Sequence, residues 1–440
     1  MSASTQSSAK ALDVLIVDLQ GNLRGKRIPA ELANKALDGG TRLPLSTQLL
    51  DIWGDDCDHI TQKALSQGDP DGACVPSLST LNDVPWREEE QQVMASLCFE
   101  DGSPSLYDPR AQLSNMDDKL KSLGLTAVVA VELEFYIMDA STHQTGIPTP
   151  PGQLQLAGDV KELQLYDLRV RDRLEPLIDR IERYARALNI PVTTSLLEFG
   201  PGQVEINLAH RKTALQAADD AVMFKRLVDR AAFDEGFFAT FMAKPYSDGA
   251  GSGMHSHLSL INQEGHSVFD GSDKLLHACA GVLNHLPDML AMFAPHMNSW
   301  RRLQPDSFAP SRLDWGYDHR GVSIRIPETT GPGARLEQRI AGADANPYHV
   351  LTLFIAAVIA GLEQGETPSR PALAPGESQN APNFTHDWVS AIEAFKQSDF
   401  TKDAFGEDYQ QLYANIKRHE AAKLLASVSN IDWQTYLPHL

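Results

Sequence analysis

The chain has 440 residues, enough to bury a large core without disulfides or a partner chain. Its 58 acidic residues outnumber its 38 basic residues, and the formal charge of −20 argues against general binding to nucleic acid or to anionic membranes. The four cysteines have no CxxC spacing, which predicts free thiols in a reducing compartment, so we expect a cytoplasmic protein.

Local patterns divide the chain into a small N-terminal part and a large C-terminal part. The start "MSASTQSSAK" lacks the apolar segment of a secretory signal, and we expect residues 1–10 to be a disordered tail. The stretch "ALDVLIVDLQGNLRGKRIP" predicts two strands around a Gly-Asn turn, so residues 11–106 are interpreted as a β-rich domain. An Asp-Pro break beside Tyr107 predicts that a second domain occupies residues 107–440.

Apolar patterns predict the helical framework of the second domain. Apolar residues at helical spacing between Arg171 and Ile190 predict an amphipathic helix that covers one face of a sheet. A second helix is expected over residues 212–233, and the segment from Asn383 is also predicted to be helical. The apolar run "VLTLFIAAVIAGL" at residues 350–362 is too short to span a bilayer and predicts a buried helix.

Five strand-like stretches carry ionisable residues at alternate positions, so that these residues share one face of each strand. In "VVAVELEFYI" the pair is Glu132 and Glu134. The stretch "TTSLLEFGPGQVEINL" predicts a hairpin that folds back at Gly200–Gly202 and brings Glu198 close to Glu205. The remaining residues with this pattern are His255, His257 and Ser259; Ser323 and Arg325, preceded by Arg320; and Arg335, Glu337 and Arg339.

This pattern has two interpretations, a solvated sheet face and a concave binding site, and the chemistry of the residues favours the second. For any single strand, a solvated sheet face is the simpler explanation, but five such strands in one helix-covered domain predict a concave site. Five carboxylates in one cavity repel each other unless cations lie among them, and an oxygen-rich donor set with imidazole suits Mg²⁺ or Mn²⁺ better than Zn²⁺. Arginines beside such ions are suited to phosphate, so the residues indicate metal-dependent phosphoryl transfer from a nucleotide. The sequence has no P-loop, kinase or GxGxxG motif.

Seven segments in order resemble motifs of the glutamine synthetase superfamily, across nearly the whole chain. They are "DLQGNLRGKRIP", "VELEFY", "LEFGPGQVE", "FMAKPYSDGAGSGMHSHLSL", "NSWRRL", "HRGVSIRIP" and "ARLEQRIAGADANPY". The resemblance implies an α+β fold with a small β-grasp-like N-terminal domain and a large catalytic domain, whose open, curved antiparallel sheet is backed by helices. It also implies a homo-oligomer, usually a dodecamer of two hexameric rings, with active sites between neighbouring subunits.

The resemblance also implies roles for individual residues, with ATP and two or three Mg²⁺ or Mn²⁺ ions as the cofactors. Glutamate would be phosphorylated on its γ-carboxylate by ATP, and an amine would then displace the phosphate. The implied metal ligands are Glu134, Glu198 and Glu205 for one ion and Glu132, His255 and Glu337 for another. The implied glutamate contacts are Gly251, Arg302, Arg320 and Arg339, of which Arg320 and Arg339 are catalytic; the implied ATP contacts are His257, Ser259, Arg325 and Arg335.

The chain departs from glutamine synthetases at the ammonium site. "QPDSFAP" has Phe308 in place of one family acid, and Ser46 in "RLPLSTQLLDIW" falls near the place of the other. An apolar ring removes the partner of NH₄⁺ and favours the carbon body of an organic amine. Tyr166 and Trp315 complete the predicted amine pocket.

We therefore expect a glutamate–amine ligase resembling the γ-glutamylpolyamine and γ-glutamylmonoamine synthetases of amine catabolism. The aromatic residues favour a monoamine with an apolar or aromatic body, whereas a polyamine would use Asp306, Asp314 or Asp318 as a second contact. One alternative is a true glutamine synthetase that takes its ammonium acids from Asp306 or Asp51. Another is a non-catalytic scaffold, which would predict eroded metal ligands.

Overall fold

The computed structural model describes most of the chain, with gaps in four internal regions and at the N-terminus. The predicted tail at residues 1–10 lies outside the described part except for its last two residues, and Asp306 also lies outside it. The described residues are 9–57, 59–61, 65, 68–154, 165–304, 307–369, 371–372, 381–384 and 387–440.

The N-terminal residues form a six-stranded mixed sheet in the order β2-β1-β6-β4-β3, with β5 paired to β6. β1 pairs antiparallel with β2 and parallel with β6, and the predicted Gly-Asn turn is confirmed between β1 and β2. Gly21 adopts a φ of 85° there, which favours glycine, and Asp18 accepts two backbone N–H groups of the turn. The strands are β1 (Ala11–Val17), β2 (Leu23–Pro29), β3 (Thr41–Pro44), β4 (Asp71–Pro76), β5 (Asn82–Asp83) and β6 (Glu90–Cys98).

An eight-stranded sheet follows, in the order β12-β13-β14-β11-β7-β9-β8, with β10 paired to β7. Its described pairs are antiparallel except at one edge, where β12 runs parallel to β13. Its strands are β7 (Leu125–Asp139), β8 (Val192–Leu197), β9 (Gln203–Leu208), β10 (Phe237–Thr240), β11 (Met254–Asn262), β12 (Trp315–Tyr317), β13 (Ile324–Glu328) and β14 (Arg335–Gln338).

Alternation along β7 gives the large sheet two different faces. Val129, Val131 and Leu133 are buried against the helical layer, whereas Glu132 and Glu134 lie on the opposite, partly open face. The predicted hairpin is confirmed as β8 and β9, which are joined by the Gly200–Gly202 turn. The apolar face therefore forms the core, and the carboxylates are left on the face that can hold a ligand.

The helices cover the apolar face and continue to the C-terminus. The predicted helices near residues 171–190, 212–233 and 350–362 are confirmed as α5, α6 and α9, and helices from residue 388 onward confirm the helical C-terminal segment. The α-helices are α1 (Ala30–Lys35), α2 (Pro109–Ser122), α3 (Thr142–Thr145), α4 (Leu168–Arg171), α5 (Glu175–Ala187), α6 (Ala214–Asp234), α7 (Lys274–Phe293), α8 (Met297–Arg302), α9 (Pro347–Gln364), α10 (Trp388–Gln397), α11 (Asp399–Phe405), α12 (Glu407–Leu425) and α13 (Asn430–Tyr436).

Helix α9 is a core helix, although its length and composition alone would let it cross a membrane. Most of it is buried inside the protein, where it crosses α7 at two glycines. A Cβ atom added at Gly281 would lie 2.3 Å from the carbonyl oxygen of Ala357, and one at Gly361 would lie 2.2 Å from that of His277. Only glycine permits this close approach of the two backbones.

A buried polar cluster joins the first sheet to α12. Glu420 accepts hydrogen bonds from the Gln20 side chain at 3.0 Å and from the Ile52 backbone N–H at 2.9 Å. The Lys417 ammonium donates to Glu420 at 2.9 Å and to Gln20 at 2.6 Å. Lys417 and Glu420 are 1% and 0% exposed, so their charges compensate each other without help from water.

Removing one charge of this cluster is expected to destabilise the fold strongly. Lys417→Met leaves the buried Glu420 carboxylate without a cation and should lower the free energy of unfolding by about 3–5 kcal/mol in chemical denaturation. Lys402→Met, which breaks the exposed ion pair with Glu407, is the matched control and should have no measurable effect. Equal stability of the two variants would show that the buried pair does not hold the sheet to the helix.

Candidate active site

The ionisable residues of five strands form one row across the polar face of the large sheet. Strand register places them opposite each other, because neighbouring antiparallel strands align residues of the same face. The hairpin end of the row adds Glu198, whose backbone N–H donates to the Gln203 carbonyl oxygen. The facing pairs are Glu205–Glu134, Glu132–His255, His257–Glu337 and Glu337–Arg325.

At the hairpin end, carboxylates accumulate without enough cations. Burial, reinforced by the charge of Glu134, raises the pKa of Glu198 to about 7. Burial and the charges of Glu132, Glu134 and Glu198 raise the pKa of Glu205 to about 8. Burial is the larger cause and repulsion between the carboxylates the smaller one, and both favour the protonated forms. The carboxylate oxygens fit a hard divalent cation, which would replace the protons.

In the middle of the row, two imidazoles share Glu132. Its carboxylate lies 3.3 Å from His255 Nδ1 and 2.9 Å from His257 Nε2. Burial alone would raise the pKa of Glu132, but the hydrogen bonds with the two histidines hold it well below its usual range.

The group that could hold a second ion is Glu132, His257 and Glu337, whose ligand atoms lie within 4.8 Å of one another. His255 instead lies between Glu132 and Glu134, with its Nε2 3.8 Å from the Glu134 carboxylate. Both histidines extend from the same face of β11, and Glu132 can reach either. The assignment of His255 to the second ion therefore stays a prediction.

Arginines line the other side of the row. Arg325 donates to the Glu337 carboxylate at 2.7 Å, and Arg339 forms a second ion pair with it. Arg335 Nε lies 3.3 Å from His257 Nδ1. Arg320 is exposed, and its carbonyl oxygen accepts a hydrogen bond from Arg339 Nε at 3.1 Å. The arrangement places positive charge where phosphate oxygens could meet it.

The glycine-rich loop before β11 packs directly against Arg302. A Cβ atom added at Gly251 would lie 2.6 Å from Arg302 Cγ, and one at Gly253 would lie 2.9 Å from His255 Nε2. Arg302 is 4% exposed and donates to the carbonyl oxygen of Ile340 at 2.6 Å. The loop, the guanidinium and the row of carboxylates thus adjoin one another.

Two residues position this loop, Gln203 and Tyr136, and neither was predicted from the sequence. The side-chain amide of Gln203 donates to the Gly251 carbonyl oxygen at 3.0 Å and lies 3.3 Å from the Glu134 carboxylate. The Tyr136 hydroxyl donates to the Ala250 carbonyl oxygen at 2.7 Å. The same alternation that relates Glu205 to Gln203 could have identified Gln203, because the two share one face of β9.

Two of the four predicted amine-pocket residues lie beside Glu198. Phe308, which is 68% exposed, stacks on Phe199 with ring centroids 4.5 Å apart and an interplanar angle of 17°. The Tyr166 backbone N–H donates to the carbonyl oxygen of Leu197, and its side chain is exposed. Phe199 follows Glu198 directly, so an aromatic surface adjoins the carboxylates.

The other two predicted pocket residues, Trp315 and Ser46, make their hydrogen bonds outside the hairpin end of the row. Trp315 is buried at the sheet edge, where its indole N–H donates to the Ser369 carbonyl oxygen at 2.7 Å. Ser46 lies beyond β3, and its hydroxyl donates to the Asp69 carboxylate at 2.6 Å. Among the predicted ATP contacts, the Ser259 hydroxyl donates to the Ala334 carbonyl oxygen at 2.8 Å.

Comparison with known proteins agrees with this geometry. The family model "Glutamine synthetase, catalytic domain" matches residues 106–436. The chain is 35% identical to the gamma-glutamylputrescine synthetase PuuA of Escherichia coli (strain K12), over 96% of this chain and 91% of that protein. It is 31% identical to the glutamate–isopropylamine ligase of a Pseudomonas species, over 96% of this chain and 93% of the relative.

A solved structure described as "Apo GmaS without ligand" has the same fold, with a TM-score of 0.86 and 24% identity over 99% of this chain and 98% of the other. The chain belongs to the glutamine synthetase family. Its α+β architecture, with a small mixed sheet and a large, mostly antiparallel sheet backed by helices, is the fold of that family.

Proton binding by the hairpin carboxylates predicts how pH changes stability. The raised pKa values of Glu198 and Glu205, about 7 and about 8 against an ordinary 4.5, favour the folded state at low pH, and this contribution is lost as pH rises through them. In chelator, we expect the melting temperature to fall more steeply between about pH 5 and about pH 9 in the parent than in a Glu198→Gln/Glu205→Gln variant. Saturating Mn²⁺ should remove most of the difference. Equal slopes in chelator would contradict the proposed repulsion.

Proposed function

We propose that this protein uses ATP to join the γ-carboxylate of glutamate to a primary organic amine, producing a γ-glutamyl amide, ADP and phosphate. The observation that carries the choice of an organic amine is the stacked pair of Phe199 and Phe308 beside Glu198. Relatives that share a third of the sequence are named for putrescine and isopropylamine, which are organic amines.

The glutamate substrate would lie between the glycine-rich loop and the arginines. Arg302 and the Gly251 backbone would hold its amino-acid end, since they adjoin each other at the end of the row. Arg320 and Arg339 would face its γ-carboxylate and the phosphoryl group that this carboxylate receives from ATP. Gln203 keeps the loop in place through the Gly251 carbonyl oxygen.

The nucleotide would lie along the β13 and β14 end of the row. Arg335 and His257 would contact its phosphates together with Arg325, and Ser259 would lie on the adenosine side. Mg²⁺ or Mn²⁺, held by the six predicted ligands, would neutralise the oxygens of the migrating phosphoryl group. The protein's own contribution is to align the γ-carboxylate with that group, which replaces a chance encounter by a fixed geometry.

The amine would then attack the γ-glutamyl phosphate from the aromatic side, forming the C–N bond as the phosphate leaves. The faces of Phe199 and Phe308 offer an apolar surface in the place where glutamine synthetases have an acid, so we favour a monoamine with an apolar or aromatic body. Asp51 is poorly suited to hold the ammonium substrate, because its Oδ1 accepts the backbone N–H groups of Trp53 and Asp55 and its Oδ2 lies on the side of Lys423 on α12. Asp314 is also buried, and it accepts the Ser323 backbone N–H.

We also propose a cytoplasmic homo-oligomer of two stacked hexameric rings, with domains at residues 11–106 and 107–440. Membership of the glutamine synthetase family supports this assembly, since the resemblance implies active sites between neighbouring subunits. Neither nucleic acid nor a membrane is among the proposed partners.

An amine panel tests the proposed reaction. ADP release should be measured with glutamate and, in turn, ammonium, ethanolamine, a diamine, a short alkylamine and an aromatic alkylamine. We expect an apolar amine to exceed ammonium by about 10- to 200-fold in kcat/KM, since apolar contacts of this kind are worth about 1–3 kcal/mol. Comparable or better turnover with ammonium would contradict the proposal.

The aromatic pair can be tested by substitution. Phe199→Ala should lower kcat/KM for the preferred apolar amine by about 10-fold or more while leaving the KM of ATP unchanged. Phe308→Glu restores an acid at this place and should raise the activity with ammonium relative to the organic amine. Phe233→Glu is the matched control, because Phe233 is 70% exposed against 68% for Phe308 and lies at the end of α6. The same change in amine preference in both glutamate variants would rule out a pocket at Phe308.

A further inference from the structure

A second group of potential metal ligands lies outside the active site, between the loop that follows the first three strands and α12. Asp51, Cys57 and His419 each offer one ligand atom, and these atoms lie within 4.8 Å of one another. Asp51 and Cys57 are buried, and His419 is half-buried. The group contains an oxygen, a sulfur and a nitrogen donor, whereas the active-site row contains only oxygen and nitrogen donors.

The loop is already held in shape without a ligand. Asp51 Oδ1 accepts the backbone N–H groups of Trp53 and Asp55, each at 2.9 Å. The Ile52 N–H donates to Glu420 on α12 at 2.9 Å, which fixes the loop against the helix that carries His419. The donors are therefore preorganised on two elements that cannot separate easily.

One oxygen of this group has no hydrogen-bond partner. Asp51 Oδ2 is buried and accepts no hydrogen bond from the described residues. Its nearest positive charge is Lys423, whose ammonium is 3.9 Å away, also lies 3.3 Å from Asp55, and sits over the Trp53 ring. Because a buried carboxylate oxygen without a partner is costly, a cation at this position would stabilise it.

The surroundings favour a cation rather than thiol chemistry. The acidic residues Asp51, Glu420 and Asp56 lie near Cys57, and Lys423 is the basic residue near it. A thiol in such negative surroundings is a poor nucleophile. The same negative charges attract a divalent ion, which displaces the thiol proton on binding.

A cavity reaches one member of the group, His419. It has a volume of about 480 Å³, and its lining includes His419, His59 and Tyr107. The exposed His59 ring lies 5.8 Å from the His419 ring. Water or His59 could therefore complete a four-coordinate shell around an ion held by the three buried or half-buried ligands.

We propose that Asp51, Cys57 and His419 bind a borderline-soft divalent cation, for which Zn²⁺ has the best match. Thiolate and imidazole donors suit Zn²⁺, whereas Mg²⁺ and Mn²⁺ prefer the oxygen-rich row of the active site. The ion would join the loop of the first sheet to α12 and would have a structural role. The proposal is independent of the reaction that the active site carries out.

Cobalt substitution tests this site directly. The full-length protein is treated with chelator, saturated with Mg²⁺ to occupy the oxygen-rich row, and titrated with Co²⁺. We expect one further Co²⁺ per chain with a thiolate-to-cobalt charge-transfer absorption, which Zn²⁺ abolishes by displacement. Cys57→Ser should lose this absorption, and Cys98→Ser should keep it as the matched control, since the two thiols are 3% and 4% exposed.

His419→Gln provides a second variant that keeps the thiol. It should weaken Co²⁺ binding by about 10-fold or more, and Zn²⁺ should raise the melting temperature of the parent but not of this variant. The proposal is overturned if the parent shows no thiolate absorption, if the absorption persists in Cys57→Ser, or if His419→Gln binds Co²⁺ as tightly as the parent. If Cys57→Ser does not fold, the absorption spectrum of the parent and the Co²⁺ affinity of His419→Gln still test the proposal.

Discussion

Mutual repulsion among carboxylates on one sheet face is the constraint on which the rest of this structure depends. Where Arg325 and Arg339 pair with Glu337, the charge is compensated within the chain. At Glu198 and Glu205 the charge is not compensated, and burial together with this repulsion raises the pKa values of both side chains. The opposite face of the sheet supplies the stability that such an arrangement needs, since it is covered by helices and fully apolar along most of β7.

Much of this arrangement could be predicted because the period of a strand fixes which residues share a face. Alternation identified Glu132 and Glu134, and the Gly200–Gly202 turn identified the hairpin. Register and side-chain reach could not be predicted in the same way. Two histidines on one face of β11 are equivalent in sequence and share Glu132, and only their second carboxylates distinguish them, Glu134 for His255 and Glu337 for His257. The parallel pairing of β12 likewise depends on tertiary contacts.

The contact between Phe199 and Phe308 could not be predicted from the sequence either. Phe308 stood out because it replaces an acid, whereas Phe199 had no such signal, although it follows Glu198 directly. Their contact joins a loop to the tip of a hairpin, and neither local propensity nor spacing predicts it. If the proposed amine pocket lies here, a change of amine needs changes on two separate segments, because the aromatic pair is built from both. Gln203 adds a third segment, since it links the hairpin to the glycine-rich loop.

The buried cluster of Gln20, Lys417 and Glu420 also has a consequence for how the chain is made. Its hydrogen bonds join residues 397 and 400 positions apart, so the first sheet cannot gain them until almost the whole chain has left the ribosome. At about 5–20 residues per second, the N-terminal strands wait roughly 20–80 s for their partners. During synthesis the loop at Ile52 likewise lacks its contact with Glu420, so the first sheet reaches its final packing only when α12 docks.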